Sequence, residues 1–220
     1  ANIGGYFSPG IANSREAIYV DIDDLTWANT ILAHEFQHLL HNARDPFEYL
    51  WVDEGNADMA AYLNFGATST IIGHANAWAQ FPETSVRWWN QSDNGADYGA
   101  GFLFMLFLAS KLGGGQAIQS LVSDTATGGD GIVNLANNPI PGSPGNIGST
   151  MPDIFANFTV ATLLDDSQNP FGLDNIDMYQ NCGNSQFCKM QITDANSNWG
   201  SIWQRQGDEL HGWGVRAYKF

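Results

Sequence analysis

Apolar positions along this chain follow two rhythms, a short strand-like one near the start and longer helical ones after it. Residues 17–22 (AIYVDI) are β-branched and apolar with charge on either side, which predicts a strand. Asp24 or Thr26 can cap a helix running to about His41 or Asn42, and Asp45-Pro46 then breaks the pattern. A second helix is expected from near Asp53 through Asn64, ending at Gly66. A third, strongly apolar one spans 97–112 and stops at the glycine triplet 113–115. Residues 116–123 and 151–164 suggest two more. Residues 128–149, rich in Gly, Pro and Asn, read as a long loop, and candidate strands follow at 189–192 and 215–220. No internal repeat is visible. These elements predict an α+β chain that is mainly helical, with a small or abbreviated sheet, forming one domain over residues 1–220.

Composition narrows the class. With 44% hydrophobic and 13% aromatic residues over 220 positions, the chain can fill a core and is globular. Its longest apolar run, 102–109, is far too short to cross a bilayer. A formal net charge of -15 makes nucleic-acid phosphates and anionic membranes poor partners. That acidity reads first as solubility and second as calcium binding. Asp21-Ile22-Asp23-Asp24 is the densest cluster, without EF-hand spacing, so Ca2+ stands as a secondary cofactor. Cys182 and Cys188 lie in a polar stretch and suit a small disulfide loop, which points to an oxidising compartment and a secreted, extracellular chain. No signal peptide precedes Ala1, as expected of a mature or trimmed chain.

One segment carries chemistry. His34-Glu35-Phe36-Gln37-His38 has the H-E-x-x-H pattern, which on a helix places both imidazoles on one face a turn apart, within reach of one ion. Zinc favours such nitrogen donors, and Glu35 stands beside that face as the base for a metal-activated water. The string also occurs by chance, so a third ligand decides the matter. His41 is three residues beyond His38, but seven residues of continuous helix from His34 is about 10 Å of rise, too far for one ion. His41 is therefore expected in a supporting position or at the surface.

Glu54, in Trp51-Val52-Asp53-Glu54-Gly55-Asn56-Ala57-Asp58, is the better third ligand, since the loop at Asp45-Pro46 lets the second helix fold back on the first. Asp58 follows one turn later on the same face and can accept the other ring proton of His34. Glu48 and Asp53 remain alternatives for the third position. The plainer reading makes Glu54 and Asp58 ordinary acids favoured near a helix start.

These residues resemble the gluzincin zinc peptidases. Glu54 paired with Asp58 is similar to the E-x-x-x-D element of thermolysin-like enzymes. The closer resemblance is to bacterial hyicolysin-type and immune inhibitor A-like secreted peptidases, in which a GGYF segment and a YVDID-like strand lead into HEFQH, as residues 4–7 and 19–23 do here. Residues 97–103 (DYGAGFL) also resemble a Tyr-Gly-Ala-Ser-Tyr-Leu segment of those families, and the likeness runs from residue 4 to about 110. It implies a zincin-like domain, a metal-binding half to about residue 110, a mixed half after it, and a neutral endopeptidase with one catalytic zinc. It further implies that the strand over 17–22 lines the cleft and pairs with extended substrate. Only about twenty-five residues precede the metal helix where zincins place several strands. Either the sheet is abbreviated, or earlier strands have been removed or are held noncovalently.

The expected reaction is hydrolysis of protein or peptide substrates, with Glu35 taking a proton from the attacking water and later protonating the leaving amine. Tyr98 and His211 are the candidates for stabilising the oxyanion. His74 reads as an ordinary helix residue. Rival readings are a zinc exopeptidase or amidase, and a non-catalytic binding module with a structural zinc. An intact Glu35 argues against the last, because a structural site needs no base beside its metal.

Overall fold

The computed structural model describes residues 4–9, 17–21, 27–89, 94–166, 171–173, 176–194 and 212–219. Among these the chain is α+β and mainly helical, with short two-stranded sheets. Strand β1 (Gly5–Phe7) pairs antiparallel with β2 (Ile18–Val20), placing Tyr6 opposite Tyr19. Their rings stack at 4.7 Å on one face of this hairpin. On the other, a Cβ at Gly5 would meet the side chains of Ile31 and Glu35, so the bare glycine lets the strand lie close against the helix that follows.

That helix, α1 (Ala28–Arg44), starts after Trp27, which offers no side-chain cap; Asp24 and Thr26 lie outside the described residues. It outruns the expected end by two or three residues because nothing before Pro46 forbids it. Asp45 closes it, its N–H donating to the His41 carbonyl at 2.7 Å while its carboxylate accepts from Phe47 N–H at 3.1 Å. Helix α2 (Leu50–Phe65) begins three residues before the expected Asp53, because Tyr49 is extended and its carbonyl already accepts the N–H groups of Val52 and Asp53. Gly66 ends it at φ 72°.

Helix α3 (Ser69–Gln80) follows a Thr68 cap and buries Ile71, Ile72, Ala75, Trp78 and Ala79 along one stripe. Helix α4 (Asn94–Leu112) runs through the core, with residues 102 to 109 all buried. Helices α5 (Gly115–Ser123) and α7 (Met151–Leu164) form where expected. The segment 128–149 is not all loop: it holds helix α6 (Gly129–Asn137). Its glycines and asparagines hide an apolar stripe, Ile132 and Leu135, whose burial outweighs poor helix propensity. Parallel pairs β3 (Met178–Tyr179) with β4 (Phe187–Cys188), and β5 (Ile192–Asp194) with β6 (Ala217–Lys219), complete the chain. The strand expected over 189–192 thus splits into two, with residues 189–191 between them.

One buried apolar cluster extends from Trp51 on α2 to Val215 near the C-terminus. Cys182 and Cys188 form a disulfide. Among the described residues no single helix is long and apolar enough to cross a membrane. Helix α1 packs on α2, α2 on α4, and α4 on α3. That order of neighbours builds the site.

Candidate metal centre

Two helices supply the centre. His34 and His38 project from one face of α1, and the turn at residues 45–49 brings α2 back so that Glu54 faces them. His34 Nε2 lies 3.1 Å from His38 Nε2 and 3.1 Å from Glu54 Oε2, and His38 Nε2 lies 3.3 Å from the same oxygen. The three atoms form a near-equilateral triangle. Donors bonded at about 2.0–2.1 Å to a tetrahedral ion stand about 3.3 Å apart, so these residues fit a small divalent cation such as zinc. Among the described residues this is the one group of three or more His, Cys, Asp or Glu side chains whose donor atoms converge in this way.

Behind each imidazole stands a carboxylate. His34 Nδ1–H donates to Asp58 Oδ1 at 2.9 Å, and His38 Nδ1–H donates to Asp53 Oδ2 at 2.8 Å. Each bond fixes the tautomer that leaves Nε2 facing the triangle. Both carboxylates are themselves shared with an outer histidine. His41 Nδ1–H donates to Asp53 Oδ1 at 2.8 Å, and His74 Nδ1–H to Asp58 Oδ2 at 2.7 Å.

The electrostatics follow from burial against these pairings. Burial disfavours charge on His34, but Asp58 and Glu54 more than reverse it, and the ring is raised to about 9. Burial acts likewise on His38, where Asp53 and Glu54 lift it to about 10. Burial opposes ionisation of Asp53, Glu54 and Asp58, yet the neighbouring imidazoles hold all three below the usual carboxylate range. The centre is thus a pocket of fixed negative charge that attracts positive charge, whether protons or a cation.

Glu35 is 8% exposed and lies outside the donor triangle. Burial raises its carboxyl, opposed by His34, His38 and an N–H bond from Phe7 of β1. A carboxyl beside the triangle, raised by burial, is placed to exchange a proton with a water held there. Tyr98, near the start of α4, places its ring 5.9 Å from that of His34, and its hydroxyl is hydrogen-bonded to Glu54. Burial, reinforced by Glu54, Asp58 and Glu35, pushes that hydroxyl well above its ordinary range, so it stays a neutral donor.

Glycine crossings make this approach possible. A Cβ at Gly55 would lie 2.9 Å from the Gly101 carbonyl oxygen, and one at Gly99 would strike the carbonyl of His74. With bare glycines at these positions, α4 nests against both α2 and α3, which delivers Tyr98 to Glu54 and His74.

The structure brings together His34, Glu35, His38, Glu54, Asp58 and Tyr98. It does not bring Glu48, whose carboxylate instead accepts the N–H groups of Tyr49 at 2.5 Å and Gly128 at 2.7 Å. Asp53, weighed as a ligand, serves His38 from behind. His41 is 1% exposed and takes a supporting place. His211 and the acidic residues Asp23 and Asp24 lie outside the described residues. His74 is no ordinary helix residue, since it meets Asp58; no local pattern announces this, because only the packing of α2, α3 and α4 brings the two together. Asp53 had a signal in its position next to Glu54, one residue round the helix and so aimed at the second histidine.

Comparison with protein-family models gives no match, and none is found among curated proteins.

Proposed function

We propose that this chain is a secreted, zinc-dependent endopeptidase with a zincin-like catalytic domain. The observation that carries the reading is the triangle of His34, His38 and Glu54 donors, with a carboxylate behind each imidazole and Glu35 beside but outside it. Zinc held there supplies a Lewis acid that polarises the scissile carbonyl and acidifies water. Glu35 accepts the proton of the attacking water on its carboxylate and returns it to the leaving amine. The Tyr98 hydroxyl, kept protonated by its surroundings, turns its one proton from Glu54 to the oxyanion as charge develops. Hairpin β1–β2 lies against Glu35 and offers backbone groups for an extended substrate. The disulfide supports an oxidising, extracellular setting.

Metal analysis and casein hydrolysis test this. The wild-type chain is expected to carry one zinc and to cleave casein, and Glu54→Ala to lose both. A Glu54→Ala protein that keeps full zinc would show that another residue completes the set.

A further inference from the structure

We propose that His74 is a positioning residue of the metal centre, holding Asp58 and Tyr98 at the angles the donor triangle requires; this rests on the zinc-peptidase reading above. Asp58 is 1% exposed, and its two oxygens each accept one imidazole N–H, from His34 at 2.9 Å and from His74 at 2.7 Å. One donor alone leaves a buried carboxylate half satisfied and free to turn about its Cβ–Cγ bond. The second fixes its plane, and with it the direction in which His34 is held.

His74 also acts through its ring face. It stacks on Tyr98 with centroids 4.6 Å apart and planes 16° apart, while Trp89 meets Tyr98 edge-on at 4.8 Å. Tyr98 in turn bonds Glu54, which faces His34. The contacts close a circuit, His34 to Asp58 to His74 to Tyr98 to Glu54 and back to His34, and His74 is the corner at which a hydrogen bond becomes a ring stack. The Gly99–His74 backbone approach sets the height of that corner. Turning α3 by one residue, about 100°, would break both arms together.

Two substitutions separate the arms. His74→Phe keeps a ring for Tyr98 and removes the donor to Asp58. His74→Asn places an amide donor near the old Nδ1 and removes the ring. Each variant is compared with wild type by zinc competition against a chromophoric chelator, by kcat and KM on a fluorogenic casein peptide, and by thermal melting. His74→Phe is expected to bind zinc about tenfold more weakly, with its lost turnover recovered by excess zinc. His74→Asn is expected to restore zinc affinity to within about threefold of wild type and to lower kcat about tenfold at unchanged KM, a loss that excess zinc does not recover.

Two results overturn the proposal. Both variants could match wild type in zinc affinity and kcat. Alternatively, both could lose zinc affinity in step with melting temperature, which would make His74 only a fastener between α2 and α3. Should the wild-type chain bind zinc but cleave no peptide, the peptidase reading falls while the zinc arm still decides the role of His74.

Discussion

Helices α2 and α4 pack on each other, yet the buried stretch of each differs in kind. From residue 102 to 109 the interior of α4 is apolar without interruption. Helix α2 instead carries Asn56 and Asp58 inside, with Glu54 close beneath the surface. Burying carboxylates is costly unless donors meet them, and here imidazoles from α1 and α3 do so. The difference teaches where mutational effects should appear. Changes in the 102–109 stretch of α4 should register in stability, and changes on the polar face of α2 in metal binding.

The largest effect expected is catalytic. Glu35→Gln should lower casein turnover by about 10²–10⁴-fold while zinc content and melting temperature hold. Near-normal turnover at full zinc would remove Glu35 as the base. Next, Phe104→Ala in α4 should cost about 3–5 kcal/mol of stability in denaturant unfolding, with zinc affinity of the folded protein unchanged. A matching fall in zinc affinity would mean that the two helices do not divide their tasks.

Metal removal sharpens the contrast further. Free zinc at about a hundred times its Kd should stabilise the fold by about 2.7 kcal/mol, and by the same increment in Phe104→Ala. Differential scanning calorimetry with and without chelator checks both. Asp58→Asn should weaken zinc about 10–100-fold, and unchanged affinity in a zinc titration would leave Asp58 no part in holding His34. Smallest of all, His41→Ala should keep one zinc per chain, because its Asp53 partner still holds His38. An empty site would show that His41 is needed to hold Asp53 behind His38.

Much of this was readable from sequence, for a physical reason. The trio His34, His38 and Glu54 lies on two consecutive helices joined by a short turn, so spacing alone constrains how they meet. Asp58 was readable in the same way, as one turn after Glu54. Helix α6 was not, since Gly129, Gly131 and Asn134 speak locally against a helix that burial of Ile132 and Leu135 sustains. His74 was hidden for the same kind of reason. It comes from a third helix, and its meaning depends on glycine crossings that no local pattern encodes.

Asn76 sits two residues after His74 on α3, and its side chain donates to the Gln186 carbonyl at 2.9 Å and accepts the Cys188 N–H at 2.8 Å. The ring closed by Cys182 and Cys188 is therefore fastened to the helix that carries His74. Turn tips of this kind are preferred points of attack by other proteases. A backbone cut between Gly183 and Gln186 would leave both new ends joined through sulfur, and the 186–188 side still bonded to Asn76. A chain nicked there should run as one species until reduced, and should keep its centre assembled after the peptide bond is gone.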